Sequence, residues 1–429
     1  MEHYWLINAS IPVSLLRNVP DAWLQAANAE HLVRLHVQIQ GETIAAVTPI
    51  LPTDGLAQID LRGGQLWPCF VDLHTHLDKG HIWPRAMNPD GTFGQAIATV
   101  QTDAQAHWRA EDLYRRMDFG LQCSYAHGTQ AIRTHLDSWG EQATVSWAVF
   151  QQLRAEWADR ITLQAVSLVS LDKYAGVEGE MLADLVATAG GILGGVAYPH
   201  PDLAAQIDRL LALASERGLD LDFHVDETED TAAIALSLVA KAALRHHFSG
   251  QIVCGHCCSL AMQPPAQVQA TIADVQAAGI GIVSLPQCNL YLQGRLPGQT
   301  PRWRGVTLIH ELAQAGIPVA LASDNCRDPF HAFGDHDVLE VFSQAVKIAH
   351  LDHPIAAWCP SVTAIPAQLM GLAHRGQIGV GLPADLIGFK GRGFSELLAR
   401  SQHDRLVIRA GKRIATALPD YSVLDDLMA

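Results

Sequence analysis

Short apolar runs recur along most of this chain at a near-constant spacing, and that recurrence limits the fold more than any other feature. After an opening stretch at residues 68–79 come runs at 129–134, 161–168, 191–198, 219–224, 251–254, 279–285 and 317–322. From the second run to the seventh the interval is about 30 residues, the length of one strand, one helix and two loops. Several segments between them have the periodicity of amphipathic helices, as at 202–217 and 231–243. Eight strands alternating with helices predict an α/β fold, a (β/α)8 barrel of the TIM type; open doubly wound sheets more often use fewer strands.

The two ends of the chain have a different texture. Residues 32–39 and 43–47 alternate apolar and polar side chains around a turn, and short strand-like runs return at 379–389 and 406–414. Such alternation marks antiparallel strands with one wet face. We therefore expect a barrel domain over residues 66–375 and a small discontinuous β domain from residues 1–65 and 376–429.

In a barrel of this kind reacting groups gather where strands end, at the C-terminal rim. The first run ends in His74-Thr75-His76, the fifth in His224-Val225-Asp226-Glu227, the sixth in Gly255-His256 and the eighth in Ser323-Asp324-Asn325. Side chains two apart on a strand project to one face, so His74 and His76 can share an ion. With His224 and Asp324 they supply the nitrogen and oxygen donors of a catalytic divalent metal, leaving a position for water. The fourth run ends in Tyr198-Pro199-His200, without a lysine to bridge a second ion, so one metal is expected. Glu227, three residues beyond His224, suits a proton shuttle, and His256, aided by Asp324, can orient the water or a developing oxyanion. Each residue alone has a plainer reading, as a rim histidine satisfied by backbone or an acid capping the next helix. Agreement among four strand ends outweighs it.

The chain carries a formal net charge of −15 and no lysine or arginine run, which argues against nucleic acid and anionic membranes as partners. No apolar run approaches the roughly 20 residues of a membrane span, and Met1-Glu2-His3-Tyr4-Trp5-Leu6 lacks the layout of a signal peptide. A cytoplasmic protein is expected. Its eight cysteines are dispersed, so free thiols are expected, and Cys254 and Cys257 beside His256 read as packing residues.

Four motifs extend the comparison: Pro-x-Phe-Val-Asp-x-His-x-His-Leu-Asp-Lys at 68–79, the His224-x-Asp226-Glu227 element, Asn289-Leu290-Tyr291-Leu292-Gln293-Gly294-Arg295 followed by Arg302-Trp303-Arg304-Gly305, and Ser323-Asp324-Asn325-Cys326-Arg327-Asp328-Pro329-Phe330. Through them the chain resembles the amidohydrolase superfamily, and within it the cytosine deaminase group. The resemblance implies a (β/α)8 barrel with a β-sandwich formed by both chain ends. It also implies one Fe2+ or Zn2+ ion on His74, His76, His224 and Asp324, with Glu227 and His256 in the roles above. The implied reaction is attack by metal-activated hydroxide on the amino-bearing carbon of a cytosine-like ring, with release of ammonia. A homo-oligomer acting on a small heterocycle and water is implied by the resemblance alone.

Departures from the group bear on the substrate. Ser170 stands where a glutamine reads the pyrimidine, Asn325 where a second aspartate follows the metal ligand, and Phe330 where a rim tryptophan is found; with Gln293 of the loop these are the expected substrate contacts. A smaller, less charged pocket lining predicts cytosine or a ring-substituted relative such as 5-methylcytosine. The alternatives are another amino-substituted heterocycle of the N-alkylamino-triazine, isocytosine or creatinine type, and a non-catalytic scaffold; cleavage of a cyclic amide would better fit a two-metal site.

Overall fold

The rim groups reach one site because eight of the expected runs are strands and the sheet they form closes. The computed structural model describes residues 2–428. In chain order the strands are β1 (His3–Pro12), β2 (Leu32–Gln40), β3 (Thr43–Thr48), β4 (Ala57–Asp60), β5 (Leu66–Pro68), β6 (Phe70–Thr75), β7 (Thr129–Asp137), β8 (Thr162–Leu168), β9 (Leu193–Ala197), β10 (Leu221–Val225), β11 (Ile252–His256), β12 (Gly281–Ser284), β13 (Val319–Leu321), β14 (Leu386–Gly388), β15 (Leu406–Arg409) and β16 (Lys412–Arg413). The chain forms two compact units: one holds the chain up to Asp72 with Gln122–Ala131 and His336–Pro419, the other Leu73–Leu121, Ile132–Asp335 and the segment from Asp420.

In the second unit β9 to β13 pair in order as a parallel sheet. A second sheet has the order β6-β7-β8. Parallel bridges join the two, Val166 to Ile192 and Ser170 to Val196 on one side, Thr75 to Asp324 on the other. The ring is thereby complete, a TIM-barrel-like α/β fold. Strands β6, β7 and β10 to β13 are buried throughout and β8 and β9 nearly so, as parallel strands covered on both faces must be, and most of them read as short apolar runs for that reason.

Among the element ends that depart from expectation, two bear on the site. The helix expected from residue 231 begins at Ala235, because the Asp226 carboxylate accepts the backbone N–H groups of Ala235 and Leu236 at 2.8 and 2.9 Å and so fixes the helix start there. Strand β11 runs on to His256, two residues beyond the expected end, and carries that histidine on the ladder itself.

The first unit contains two four-stranded sheets, of order β3-β2-β1-β4 and β16-β15-β14-β5. Val33, Leu35, Val37 and Ile39 of β2 lie in one core with Leu66, Leu386 and Ile408 of the other sheet. Strand β1 needs a change of phase to join them. A bulge between Leu6 and Ala9, with Asn8 at φ 56°, lets Tyr4 and Leu6 before it and Ala9 and Ile11 after it face the same core. Among the described residues no helix is long and apolar enough to cross a membrane.

Candidate active site

Strand ends β6, β10 and the segment after β13 bring four donor atoms together. His74 Nε2 lies 3.1 Å from His224 Nε2, which lies 3.3 Å from His76 Nε2. Asp324 Oδ1 stands 3.1 Å from His76 Nε2 and 3.6 Å from His74 Nε2. Donors about 2.1 Å from a tetrahedral ion are roughly 3.4 Å apart, so these separations are those of a ligand shell. Burial, reinforced by the neighbouring positive groups, holds His74, His76 and His224 well below the usual histidine range, leaving them neutral. Three neutral imidazoles converging on one point fit a divalent cation better than they fit one another.

The backbone makes room for this cluster. A Cβ on Gly255 would stand 3.0 Å from the His74 ring, so glycine on β11 is what admits that imidazole. Asp226, His256 and Asp324, each at or beyond a strand end, have φ of 53°, 67° and 64°. Non-glycine residues in the left-handed region are strained, and three of them at one rim mark where local stability is given up to aim side chains. Beneath the donors, the His74 ring stacks on His135 of β7 with centroids 3.9 Å apart. Asp222, 3.8 Å from that second imidazole, is held by Arg133 at 2.8 Å.

Glu227 and His256 adjoin the donors. His256 Nδ1 is 3.4 Å from Glu227 Oε1, and burial lowers the imidazole to about 3. Burial, with the Asp324 charge beside it, pushes the Glu227 carboxyl well above the usual carboxylate range, which favours its protonated form. Asn289 lies against both, its Nδ2 at 3.2 Å from Glu227 Oε1 and 3.0 Å from His256 Nδ1.

A cavity of about 470 Å³ opens on these groups. His76, His224, Glu227, His256 and Asp324 line it, as do Ser170, Asn325 and Phe330. Gln293, expected to touch substrate, does not line it; its Nε2 donates to the Glu227 backbone carbonyl at 3.1 Å. Several further residues line it that the strand-end pattern does not single out: Lys79, Asp137, Trp139, Tyr198, and Gln101 and Gln105 of the helix Phe93–His107. Lys79 donates to Asp137 at 2.8 Å with both side chains buried; burial works against the ammonium, but Asp137 and Asp78 outweigh it and keep the lysine charged. The Lys79 signal was present, three residues past His76 in the opening motif, whereas nothing in the sequence pattern ties Gln101 or Trp139 to the site.

A model of the amidohydrolase family matches residues 104–415. The chain is 49% identical over 428 residues to a pterin deaminase of Rhizobium rhizogenes, covering 99% of this chain and 96% of that one. It is 22% identical to an N-isopropylammelide isopropyl amidohydrolase of Pseudomonas sp., covering 82% of this chain and 86% of the other. Among solved structures, 5-methylcytosine deaminase from Klebsiella pneumoniae superposes with a TM-score of 0.81 at 25% identity, covering 97% of this chain and 98% of that one. With the family model spanning most of its length and a full-length relative at nearly half identity, the chain belongs to the amidohydrolase family.

Proposed function

We propose that the protein is a metal-dependent deaminase of a pterin, replacing the 2-amino group of the fused pyrimidine ring by oxygen and releasing ammonia. One observation carries the choice of ring: the full-length relative at 49% identity is a pterin deaminase. The cavity is compatible with it. At about 470 Å³ it falls within the usual size of small-molecule sites, roughly 300–1,000 Å³, and has room for two fused rings. A pterin contains an isocytosine substructure, one of the alternative rings named above.

His74, His76, His224 and Asp324 would hold one divalent ion, Fe2+ or Zn2+, whose Lewis acidity makes water a nucleophile near neutral pH. The chain's own groups then divide the remaining work. Glu227, protonated in its buried setting, gives a proton to the ring nitrogen next to the amino-bearing carbon as water adds there. It takes one proton from the oxygen of the added water and passes it to the leaving amine, then takes the second as the carbonyl forms and is protonated again, so one water is consumed and one ammonia leaves. His256 faces the same atoms as a neutral hydrogen-bonding group. Lys79, charged and lining the cavity, suits the carbonyl edge of the ring, and Trp139 and Phe330 offer apolar surface to its faces. Ser170 and Asn325 complete the substrate contacts, and the two sheets of the chain ends are read as a β-sandwich domain.

A second reading, deamination of cytosine or 5-methylcytosine, is favoured by the likeness to the Klebsiella structure. Ammonia release by metal-loaded protein on pterin, isocytosine, cytosine, 5-methylcytosine and an aminotriazine separates the two. A kcat/KM for pterin about tenfold or more above every one-ring substrate is expected; higher values for cytosine or 5-methylcytosine would replace this reading with the second.

A further inference from the structure

Asn289 is a residue whose position demands an explanation. It is fully buried in the helix Pro286–Leu292 that follows β12, where an asparagine is a poorer helix former than an apolar residue and its amide must find partners out of water. Both hydrogens of Nδ2 are used on the reaction groups. One points to Glu227 Oε1 at 3.2 Å and the other to His256 Nδ1 at 3.0 Å. Gln293, four residues on and so on the same face, donates to the Glu227 carbonyl at 3.1 Å. The helix is held close by Gly305, at φ 76°, where a Cβ would lie 2.6 Å from Gln293 Cβ and 2.7 Å from the Asn289 carbonyl oxygen. The motif residues Asn289, Gln293 and Gly305 thus serve one arrangement, which supports the acid and the histidine from behind.

We infer that Asn289 is the positioning residue that fixes the tautomer of His256, with the proton on Nε2, and orients the Glu227 carboxyl for proton transfer. A neutral imidazole carries one N–H, and a ring whose Nδ1 accepts from an amide must carry it on Nε2. His256 Nε2 is buried with no partner among the described residues, and the ring lines the cavity. A hydrogen there makes His256 a donor toward oxygen at the reacting carbon. It also removes His256 as a base, so the proton traffic falls to Glu227. Asn289 thereby separates two roles that His256 and Glu227, only 3.4 Å apart, could otherwise exchange. Reversing the amide would put its oxygen toward Nδ1 and require the opposite tautomer, so the assignment is open to direct measurement.

The kinetic part of this inference rests on the deaminase reading, whereas the tautomer does not. The test uses metal-loaded, full-length protein carrying 15N-histidine, with His256 signals identified by their loss in His256→Asn, and the long-range 1H–15N spectrum recorded without substrate. Wild type is expected to have the Nε2–H pattern. Asn289→Asp replaces the donor by an acceptor and should convert it to Nδ1–H, while Asn289→Leu, close in shape but unable to bond, should give a mixture. On pterin, kcat should fall about 100-fold in Asn289→Asp and about 10-fold in Asn289→Leu, with KM changed less than about 3-fold and metal content kept. An Nδ1–H pattern in wild type would overturn the inference even if neither variant folds. So would an unchanged pattern in folded Asn289→Asp, or an Asn289→Leu kcat within about twofold of wild type. If wild type does not turn over pterin, the substrate reading fails and the spectra still decide the tautomer.

Discussion

The donor cluster and its reaction partners come from strand ends, as His74 on β6, His224 on β10 and His256 on β11, whereas the rest of the cavity adds to Asp137, Leu168 and Val196 of β7, β8 and β9 the side chains of Gln101 and Gln105 from a helix and of Lys79, Trp139 and Phe330 from turns and loops. At the strand ends, a ladder fixes each Cα, and strained backbone at Asp226, His256 and Asp324 sets the final aim. Elsewhere the lining is joined through side chains: Phe93 meets Phe330 edge to face with centroids 5.6 Å apart, and Lys79 Nζ lies 5.5 Å from the Phe330 ring. A group fixed by a barrel ladder serves a reaction that tolerates little displacement. Groups on loops can be exchanged to suit another ring without disturbing it.

The sharpest break in this comparison is expected at the reacting end. Glu227→Gln keeps the shape and removes the proton carrier, so kcat should drop about 10³- to 10⁴-fold while metal content, read by elemental analysis, stays that of wild type. Retained turnover would take Glu227 out of proton transfer. At the recognition end the largest effect should appear in stability. Lys79→Met leaves the buried Asp137 charge without its ammonium, and urea unfolding should report a loss of about 3–5 kcal/mol. Lys79→Met with Asp137→Leu should recover most of that loss while turnover of a carbonyl-bearing ring stays impaired, which separates folding from recognition. Full activity in the double variant would remove the pair from substrate binding.

The same contrast accounts for what was legible in the chain. Strand ends announce themselves because an apolar run stops at a polar residue, so His74, His76, His224, His256 and Asp324 could be named in advance and are found together. The closure of the barrel followed from the spacing, though the bridge from Thr75 to Asp324 that completes it is backbone geometry with no residue signature. Gln101, Gln105 and Trp139 lie where loop and helix paths take them, and no periodicity encodes those paths. Gln293 is an expected substrate contact, yet its amide donates to the Glu227 carbonyl and does not line the cavity, because the motif packs a helix that supports Glu227. The phase change at Asn8 in β1 is a similar case, since a one-residue bulge interrupts the alternation by which strands are read.

A smaller effect tests the burial of the imidazole cluster in metal-free protein. His135, like the three candidate ligands, is held well below the usual range, chiefly by burial and then by His224. The folded-state value is depressed below the unfolded 6.5, so below pH 6.5 the unfolded chain binds protons that the folded protein refuses. Stability is therefore lost as pH falls from 6.5 toward the folded value, by about 1.4 kcal/mol per pH unit for each such group. His135→Phe should remove one share, flattening the slope by about that amount between pH 6.5 and 5.5 in urea titrations. An unchanged slope would mean that His135 takes up a proton in the folded protein, and that the layer under His74 is wetter than its burial implies.

The mildest expected effect concerns the choice of ring. Ser170→Gln adds an amide at the end of β8, next to its bridge with Val196, and Phe330→Trp adds bulk opposite Phe93. Both fill space in the cavity and neither touches the donors. A lost or gained contact of this kind is worth about 1–3 kcal/mol in discrimination, but side chains on loops can move to relieve part of it. The combined variant should shift the ratio of pterin to cytosine kcat/KM by roughly 5- to 10-fold toward the smaller ring, with kcat on the preferred substrate within about threefold of wild type. A collapse of kcat on every ring would mean that the lining and the reacting end are mechanically joined, and the division between strand-built chemistry and loop-built selection would not hold for this protein.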